Sequence, residues 1–368
     1  MAFSNIIIAH ANAVLVIDLA AIRKNYQILQ HTLNGVEVAA VVKANAYGLG
    51  ADRIGPALVK AGCKKFFVAH LEEGIHLRPY VADTEIHILG GLLPGASDTY
   101  REYSLIPVLG SLHEISSWAD YTRDIPLPCD IHVDTGMLRL GLPQSELNQI
   151  IENPNIMAGL KVLNVISHLA SADELHSYQT SAQLRAFKVA RKALPMGKAC
   201  LANSSGIFCG APYHLDMVRP GLALYGANPT PNFQNPMCPT TELKARITQI
   251  RDARAGETIG YGATYKVNKN SKIATVSVGY ADGYLRSLSN KAFAYLEGYK
   301  IPLVGRVSMD LITFDISNVP IDLCNIGAWI ELIGPNHSVD DLAREGSTIS
   351  YEVLTNLGAR YHRIYINE

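Results

Sequence analysis

The sequence predicts a (β/α)8 barrel of the TIM type followed by a C-terminal, mainly-β domain. The first observation is that short apolar runs alternate with helical patterns between Val14 and Leu224, giving about eight strand–helix units. The second is a change of pattern near Ala227, where a stretch rich in proline and asparagine leads into alternating strands and turns. The third is that polar residues directly follow many of the apolar runs, as they do at the active-site end of such a barrel.

The expected barrel strands are apolar enough to be buried on both faces, as strands of a parallel sheet are. In chain order they are VLVIDL, VEVAAVVKA, KKFFVAHL, EIHILGG, IPVLGS, CDIHVDTG, VLNVISHLA, KACLANSSG and VRPGLALYG. Amphipathic segments lie between several of them, for example AIRKNYQILQHTL, SELNQIIEN and SAQLRAFKVARKAL. Residues 12–230 are therefore assigned to the barrel.

The expected β domain occupies residues 240–368. Its strands are predicted within ELKARITQIRD, KIATVSVGYADG, IPLVGRVSMDLITFDIS and AWIELIG, and two short helical segments, VDDLAREG and SYEVLTNLG, close the chain. Residues 1–11 are expected to return to this domain and pair with it.

The composition is that of a soluble protein, with 368 residues, 48% hydrophobic and 18% charged. A formal net charge of −1 argues against a general role at nucleic acids or anionic membranes. The apolar N-terminal run is interrupted by His10, Asn12 and Asp18 and has no basic residue before it, so neither a secretory signal nor a membrane helix is expected. The six cysteines form no C-x-x-C pair, which favours free thiols, no metal site and a cytoplasmic location.

The polar residues at the strand ends include a lysine, which loses water if it lies beside a core and therefore rarely does so without a function. Such a lysine can form a Schiff base with a carbonyl substrate, form one with pyridoxal 5′-phosphate (PLP), or pair with a carboxylate. Because barrel active sites lie at the C-terminal ends of the strands, we expect the whole set to converge there. The set comprises Lys43, His70, Gly90, Gly91, Asp134, His168, Asn203, Ser204 and Arg219.

Seven motifs distributed along the chain narrow these alternatives. They are KANAYGLG, VDTGMLRLG, ANSSG, RPGLALYG, GYGATY, GYADGY and VGRVSMD. Together they closely resemble alanine racemase, and the resemblance covers essentially the whole chain with both domains in the same order. It implies a PLP-dependent homodimer in which each active site takes residues from both chains.

The resemblance implies a base on each face of the substrate. Lys43 matches the lysine that holds PLP and, once released, acts as one base. Tyr261 matches the second base, a role that requires nearby positive charge because a tyrosine ordinarily keeps its proton near neutrality. His168 matches the histidine that hydrogen-bonds this tyrosine, and Arg219 matches the arginine that is linked to the histidine and faces the pyridine nitrogen of PLP.

The remaining matches concern the cofactor phosphate and the substrate. The expected phosphate-binding and cofactor-binding groups are Tyr47, Tyr361, Asn203, Ser204 and the backbone amides of Gly221 and Leu222. For the substrate, Arg139 and the backbone of Met309 match the groups that bind the carboxylate. Met309, Tyr280 and Tyr261 would come from the partner subunit, and Tyr280 with Tyr361 would narrow the entrance to favour a side chain as small as a methyl group.

One position departs from the family pattern. Two residues before Asp134, many members carry a lysine modified to a carbamate that braces the arginine, whereas this sequence has His132. Because histidine cannot form that stable carbamate, we expect none here. Chloride or a carboxylate could position Arg139 instead, or His132 could have no polar role.

The resemblance predicts the interconversion of L-alanine and D-alanine, which in bacteria supplies D-alanine for peptidoglycan. Two alternatives remain open from the sequence. One is a broader racemase of small amino acids such as serine on the same scaffold. The other is a PLP-binding protein without turnover, although proteins of that kind are single barrels that lack the second domain.

Overall fold

The computed structural model describes residues 10–368, which divide into two compact units. The barrel unit comprises Ile22–Cys238, and the β unit comprises residues 10–21 together with Pro239–Glu368. The predicted pairing of residues 1–11 with the β domain falls mostly outside the described residues.

The strands of the described chain fall into two large sheets and one hairpin. In chain order they are β1 (Ala13–Asp18), β2 (Glu37–Val38), β3 (Ala40–Val41), β4 (Lys65–Val68), β5 (Glu85–Ile88), β6 (Ile106–Leu109), β7 (Pro128–His132), β8 (Lys161–Ile166), β9 (Lys198–Cys200), β10 (Met217–Val218), β11 (Thr241–Ala253), β12 (Thr258–Ile259), β13 (Tyr265–Lys266), β14 (Ser271–Val276), β15 (Phe293–Leu296), β16 (Tyr299–Pro302), β17 (Ile312–Asp315), β18 (Trp329–Ile333) and β19 (His362–Ile366).

The helices lie mainly between the barrel strands, as the alternating pattern predicts. They are α1 (Leu19–Leu33), α2 (Lys43–Tyr47), α3 (Ala51–Lys60), α4 (Leu71–Leu77), α5 (Ser97–Glu102), α6 (Leu112–Tyr121), α7 (Gln144–Glu152), α8 (Tyr178–Ala193), α9 (Ser204–Phe208), α10 (Val339–Glu345) and α11 (Ser350–Asn356). Within residues 10–368, every helix falls short of the length and apolar character needed to cross a membrane.

The barrel sheet confirms the predicted fold class. Its strands are parallel and follow the order β2-β10-β9-β8-β7-β6-β5-β4-β3. Only Ala39 separates β2 from β3, and these two halves of one strand pair with opposite ends of the sheet, β2 with β10 and β3 with β4. The sheet therefore has eight strand positions arranged as a nearly closed barrel.

The structure places β1 in the β unit, although the sequence analysis counted its apolar run as the first barrel strand. Strand β1 pairs in antiparallel register with β11, where Leu15 faces Leu243, and in parallel register with β19, where Leu15 faces Arg363. A strand covered on both faces has the same apolar pattern in the parallel barrel sheet and in the sheet of the β unit. The pattern of β1 alone therefore could not show to which sheet it belongs.

The β unit is built around the long strand β11. Its first half pairs with β1 and β18, and its second half pairs with β14, which in turn pairs with β17. Strands β12 and β13 form a separate hairpin whose connection contains Tyr261. The unit confirms the predicted mainly-β domain, with α10 and α11 near its end.

A network of charged groups, two of them fully buried, lies in the barrel unit. His87 and Asp130 are both fully buried, with 2.7 Å between Nδ1 and a carboxylate oxygen, and the Nδ2 of Asn164 donates to the other oxygen of Asp130 at 2.7 Å. Glu85 lies 3.3 Å from Nε2 of His87 and 2.9 Å from the ammonium of Lys65. Burial alone lowers the pKa of His87, but the charges and hydrogen bonds of Asp130 and Glu85 outweigh it and raise the pKa.

This pair predicts how stability depends on pH. Because the pKa of His87 is raised on folding, its stabilisation is fully present below the unfolded-state value of about 6.5 and is lost as pH rises through the folded-state pKa. The variant Asp130→Asn leaves His87 without its main counter-charge. We expect the free energy of unfolding to fall by about 3 kcal/mol below neutrality, and the alkaline loss of stability to disappear.

Urea unfolding of both proteins across a pH series measures this effect. The matched control is Asp120→Asn, which removes an exposed carboxylate paired with Arg123 and should change stability by less than about 1 kcal/mol. If the pH dependence is unchanged in Asp130→Asn, the His87 ring is neutral, not an imidazolium, in the folded protein.

Candidate active site

The barrel strands bring the predicted polar residues to one end of the barrel unit. Lys43 follows β3, Asp134 follows β7 and His168 follows β8, each within two residues of the strand end. The same holds for Arg219, which directly follows β10. The prediction that these side chains share one face is confirmed for the barrel unit.

Positive groups dominate this end of the barrel. Burial lowers the pKa of Lys43, with further lowering by Arg139 and Arg219, and Glu73 acts in the opposite direction. Burial, reinforced by Arg219, lowers the pKa of His168 to about 3. His168 is therefore neutral, and its ring nitrogens have no hydrogen-bond partner within the described part of the chain. A cluster of cations next to a neutral imidazole suits an anionic ligand.

The arginine at the centre of this cluster is rigidly held. Arg219 is 5% exposed, and its Nη1 donates to the carbonyl oxygen of Cys200 at 3.1 Å and contacts the sulfur of the same residue at 2.7 Å. Its Nη2 donates to the carbonyl oxygen of Ser167 at 2.5 Å. Its guanidinium carbon also lies 5.6 Å from the ring centre of Phe67. Backbone carbonyl groups at the ends of two neighbouring strands therefore fix the position and orientation of the Arg219 guanidinium.

The chain turns in a left-handed sense immediately after Lys43. Four residues, Ala44 to Tyr47, have φ between 52° and 54°, although none of them is glycine. Left-handed backbone costs about 1–2 kcal/mol for each such residue, so the surroundings must hold it in place.

Tyr47, at the end of this turn, reaches the loop after β10. Its ring lies 4.6 Å from that of Tyr225. A Cβ atom on Gly221 would come within 2.1 Å of the Tyr47 hydroxyl oxygen, so only glycine permits this approach. The hydroxyl of Ser204 accepts hydrogen bonds from the backbone N–H of Gly221 at 3.0 Å and of Ala223 at 3.1 Å. These contacts bring Tyr47, Ser204 and Gly221, three of the predicted phosphate-binding residues, close together within the barrel unit.

The predicted phosphate donors are not equally available. The N–H of Gly221 is already bound to Ser204, which keeps its own hydroxyl proton to donate. The N–H of Leu222 has no partner among residues 10–368. The side chain of Asn203 is occupied, because its oxygen caps helix α9 at the N–H of Gly206 and its amide donates to Leu169 at 3.4 Å. Its side chain therefore fixes the start of α9, which begins at Ser204.

Arg139 lies on a loop shaped by Asp134. One carboxylate oxygen of Asp134 accepts the N–H groups of Gly136 and Met137, both at 2.9 Å. The guanidinium of Arg139 is exposed and makes neither a hydrogen bond nor an ion pair within the described chain. Burial, reinforced by Arg219, lowers the pKa of His132 to about 4, so this residue is neutral and supplies no negative charge to Arg139.

The β unit brings its own predicted residues close to one another. The carbonyl oxygen of Ser308 accepts the N–H of Tyr280, and the carbonyl oxygen of Met309 accepts that of Ala281, both at 3.0 Å. The N–H of Met309 has no partner among the described residues and remains available. Tyr280 is 44% exposed and Met309 is 53% exposed.

Tyr261 lies on the connection of the β12–β13 hairpin and is 72% exposed. A Cβ atom on the next residue, Gly262, would lie 2.9 Å from Nη1 of Arg306. The absence of a side chain at Gly262 therefore allows the Arg306 guanidinium to pack against the turn. Arg306 is three residues before Met309. The hairpin connection and the Met309 loop are therefore neighbours, with a cation between them.

An ion-pair triad ties the Tyr280 and Met309 segments to the last strand. Arg360 lies 2.9 Å from Asp282 and 2.8 Å from Asp310, and Asp282 also accepts the N–H of Gly279 at 2.8 Å. The sequence analysis missed Arg360 and Asp282. Asp282 lies within the motif GYADGY and Arg360 directly precedes Tyr361, but the distances that join them depend on the fold.

Tyr361, within the β unit, provides one test of whether the residues present fit the expected cofactor. It is 4% exposed, and its hydroxyl has no hydrogen-bond partner among the described residues. A buried hydroxyl without a partner is costly, and a phosphate oxygen would satisfy it. The Ser204 hydroxyl, the Leu222 amide and the cations around Lys43 likewise suit an aldehyde-bearing phosphate ester. The residues present therefore fit PLP.

Two family models match the chain, one over most of the barrel unit and one over most of the β unit. The model described as "Alanine racemase, N-terminal domain" matches residues 17–229, and the model described as "Alanine racemase, C-terminal domain" matches residues 240–365.

Individual proteins give the same result over nearly the full length. The alanine racemase of Brucella ovis is 42% identical over 97% of this chain and 94% of its own length, and that of Acidiphilium cryptum is 47% identical over 95% and 98%. Among solved structures, alanine racemase from Bartonella henselae with covalently bound pyridoxal phosphate superposes with a TM-score of 0.92 at 40% identity, covering 97% of this chain and all of that one. The biosynthetic alanine racemase from Pseudomonas aeruginosa gives 0.91 at 34% identity, with the same coverage.

Proposed function

The chain belongs to the alanine racemase family, and from this premise we propose that it interconverts L-alanine and D-alanine with two bases, Lys43 and Tyr261. It is a PLP-dependent racemase. The observation that carries the proposed mechanism is the half-buried Lys43 amine, whose pKa is lowered by burial and by two flanking arginines. A lowered pKa makes the neutral amine more accessible than it is on a solvated lysine, and the neutral amine can act both as a nucleophile and as a base.

The residues that would hold the cofactor carry polar groups suited to an aldehyde and a phosphate. Lys43 would carry it covalently, and the Ser204 hydroxyl, the Leu222 amide and the hydroxyls of Tyr47 and Tyr361 would bind its phosphate. When bound, PLP supplies an electron sink for the negative charge that develops at Cα. A guanidinium does not give up its proton in proteins, so Arg219 would supply a fixed positive charge beside the ring nitrogen of the cofactor without transferring a proton to it.

Racemisation requires the Cα proton to leave on one face and another to arrive on the opposite face. The Lys43 amine takes or gives the proton on one face. The Tyr261 hydroxyl does so on the other face, aided by the neutral His168, which can accept or donate a hydrogen bond without adding charge. Arg139, free of any partner in the described chain, binds the substrate carboxylate together with the N–H of Met309.

A second copy of the chain is part of this proposal. Tyr261, Tyr280 and Met309 are largely exposed on the β unit, and Leu138 and Leu140 on either side of Arg139 are 89% and 53% exposed. Apolar and aromatic groups at the predicted site residues would gain burial if a partner subunit covered them. We therefore propose a homodimer with shared active sites, in which D-alanine is formed for peptidoglycan.

Turnover of pure L-alanine tests the proposed function. The purified protein should abolish the optical rotation of L-alanine without releasing carbon dioxide, and borohydride should fix the cofactor on the peptide containing Lys43. The value of kcat/KM for alanine should exceed that for serine, since Tyr280 and Tyr361 are proposed to restrict the entrance. If the cofactor is fixed on Lys43 but alanine keeps its rotation, the racemase assignment fails while the cofactor site stands.

A further inference from the structure

The strained turn after Lys43 raises the question of what holds it. The N–H of Ala44, the first left-handed residue, donates to Oε1 of Glu73 at 2.6 Å. The other carboxylate oxygen of Glu73 accepts the N–H of Ala69 at 2.7 Å and of His70 at 3.2 Å. Glu73 lies in the first turn of α4, 29 residues after Ala44. One carboxylate therefore ties the ends of the neighbouring strands β3 and β4 together.

The same carboxylate affects the charge at Lys43. The groups that act on the Lys43 amine are the cations Arg139 and Arg219 and the single carboxylate Glu73. His168, the titratable neighbour that also senses Lys43, is neutral. Glu73 also lines a pocket together with Asp52 and His76.

We infer that Glu73 is a positioning residue for Lys43: its carboxylate fixes the left-handed turn that orients the lysine and supplies a negative charge among the surrounding cations. This inference rests on the proposed role of Lys43 as the cofactor-bearing base. Left-handed backbone at four consecutive non-glycine residues persists only where other contacts dictate it, and the bond to Ala44 acts at the first of them. A small displacement at this point would move the amine away from Cα.

Glu114 provides the matched control, because it makes the same kind of tie without a catalytic lysine. It lies in the first turn of α6 and accepts the N–H of Gly110 at 2.6 Å and of Leu92 at 2.9 Å, joining the ends of β6 and β5. A purely structural role for a carboxylate in this position would therefore appear equally at Glu73 and Glu114.

The experiment compares Glu73→Gln with Glu114→Gln in the full-length protein. Glutamine keeps the side-chain size and one acceptor oxygen, so both variants should lose similar thermal stability. Only Glu73→Gln should also lower kcat for alanine, by about tenfold, with KM nearly unchanged. The rate at which added PLP reacts with the cofactor-free chain should shift its pH profile to lower pH in Glu73→Gln alone, because losing the carboxylate favours the neutral Lys43 amine.

The variant Glu73→Asp separates charge from geometry. It keeps the negative charge but shortens the side chain, so the pH profile should return towards that of the unmodified protein while kcat stays reduced. If Glu73→Gln and Glu114→Gln change stability, kcat and the pH profile alike, Glu73 is only a structural tie and the inference is overturned.

The same measurements keep this inference distinct from the proposed function. If the unmodified protein takes PLP at Lys43 but does not racemise alanine, the pH profile of the PLP reaction still decides the role of Glu73. If Lys43 does not react with PLP at all, the inference about Glu73 is overturned together with the assignment of Lys43.

Discussion

Replacement of Tyr261 by phenylalanine is expected to lower kcat/KM by about 10²–10⁴-fold for both L-alanine and D-alanine. The ring is kept, but the hydroxyl that accepts or donates the proton on one face of Cα is lost. A two-base reaction fails in both directions when either base is removed, because the product of one direction is the substrate of the other. The rate of loss of optical rotation from each pure enantiomer measures this effect.

Hydrogen exchange with deuterated water sharpens the result. Since Lys43 remains in Tyr261→Phe, the Cα proton of one enantiomer should still exchange with solvent without inversion, whereas that of the other should not. The control is Tyr299→Phe, which removes a hydroxyl from a tyrosine that is 44% exposed in β16 and should leave turnover unchanged. Equal residual exchange from both enantiomers would contradict the assignment of one base to each face.

Replacement of Lys43 by alanine is expected to abolish covalent cofactor attachment and to lower turnover by about 10³-fold or more. The variant loses both the amine that carries the cofactor and the base on one face. Borohydride treatment followed by peptide mapping should find no cofactor at this position. A small exogenous amine should restore a measurable fraction of turnover, because the pocket left by the side chain is bordered by the same charged groups.

The control for Lys43→Ala is Lys60→Ala, at the exposed end of helix α3, which should keep both cofactor attachment and turnover. Retained borohydride trapping in Lys43→Ala would show that another amine carries the cofactor. Loss of thermal stability in Lys43→Ala is not expected, since the left-handed turn is held by Glu73 and the Tyr47 contacts rather than by the lysine side chain.

Local sequence patterns were sufficient for the barrel and for the residues at its mouth. A strand buried on both faces that ends in a lysine, a histidine or an arginine indicates a site, because charged groups need water or a ligand. Lys43, His168 and Arg219 could be placed at the strand ends for this reason. The barrel fold then predicted that the strand ends would meet, because its active sites lie at that end.

Other features depend on partners that are distant in sequence. Strand β1 has the pattern of a barrel strand, and only its pairing with β11 and β19 assigns it to the β unit. The left-handed turn after Lys43 contains no glycine to indicate it, and its first N–H is held by Glu73 in the following strand–helix unit. Glu73 itself had a weak signal, an acidic residue in the first turn of a helix, which ordinarily indicates only a cap.

The buried charges in the barrel show the same limit. His87 lies on β5 and Asp130 on β7, so their contact depends on the curvature of the closed sheet. A pattern along one strand predicts which side chains point inward. It does not predict which of them meet across the barrel.

The central claim is that Lys43 and Tyr261 act on one substrate from two different chains, and mixed dimers test it most directly. The variants Lys43→Ala and Tyr261→Phe are each expected to be inactive, and co-expression with two different tags allows dimers containing one of each to be isolated. If the bases come from different chains, one of the two sites in a mixed dimer keeps both, and the preparation should recover about half of the unmodified activity. If both bases belong to the same chain, every site in the mixed dimer lacks one of them, and no activity should return.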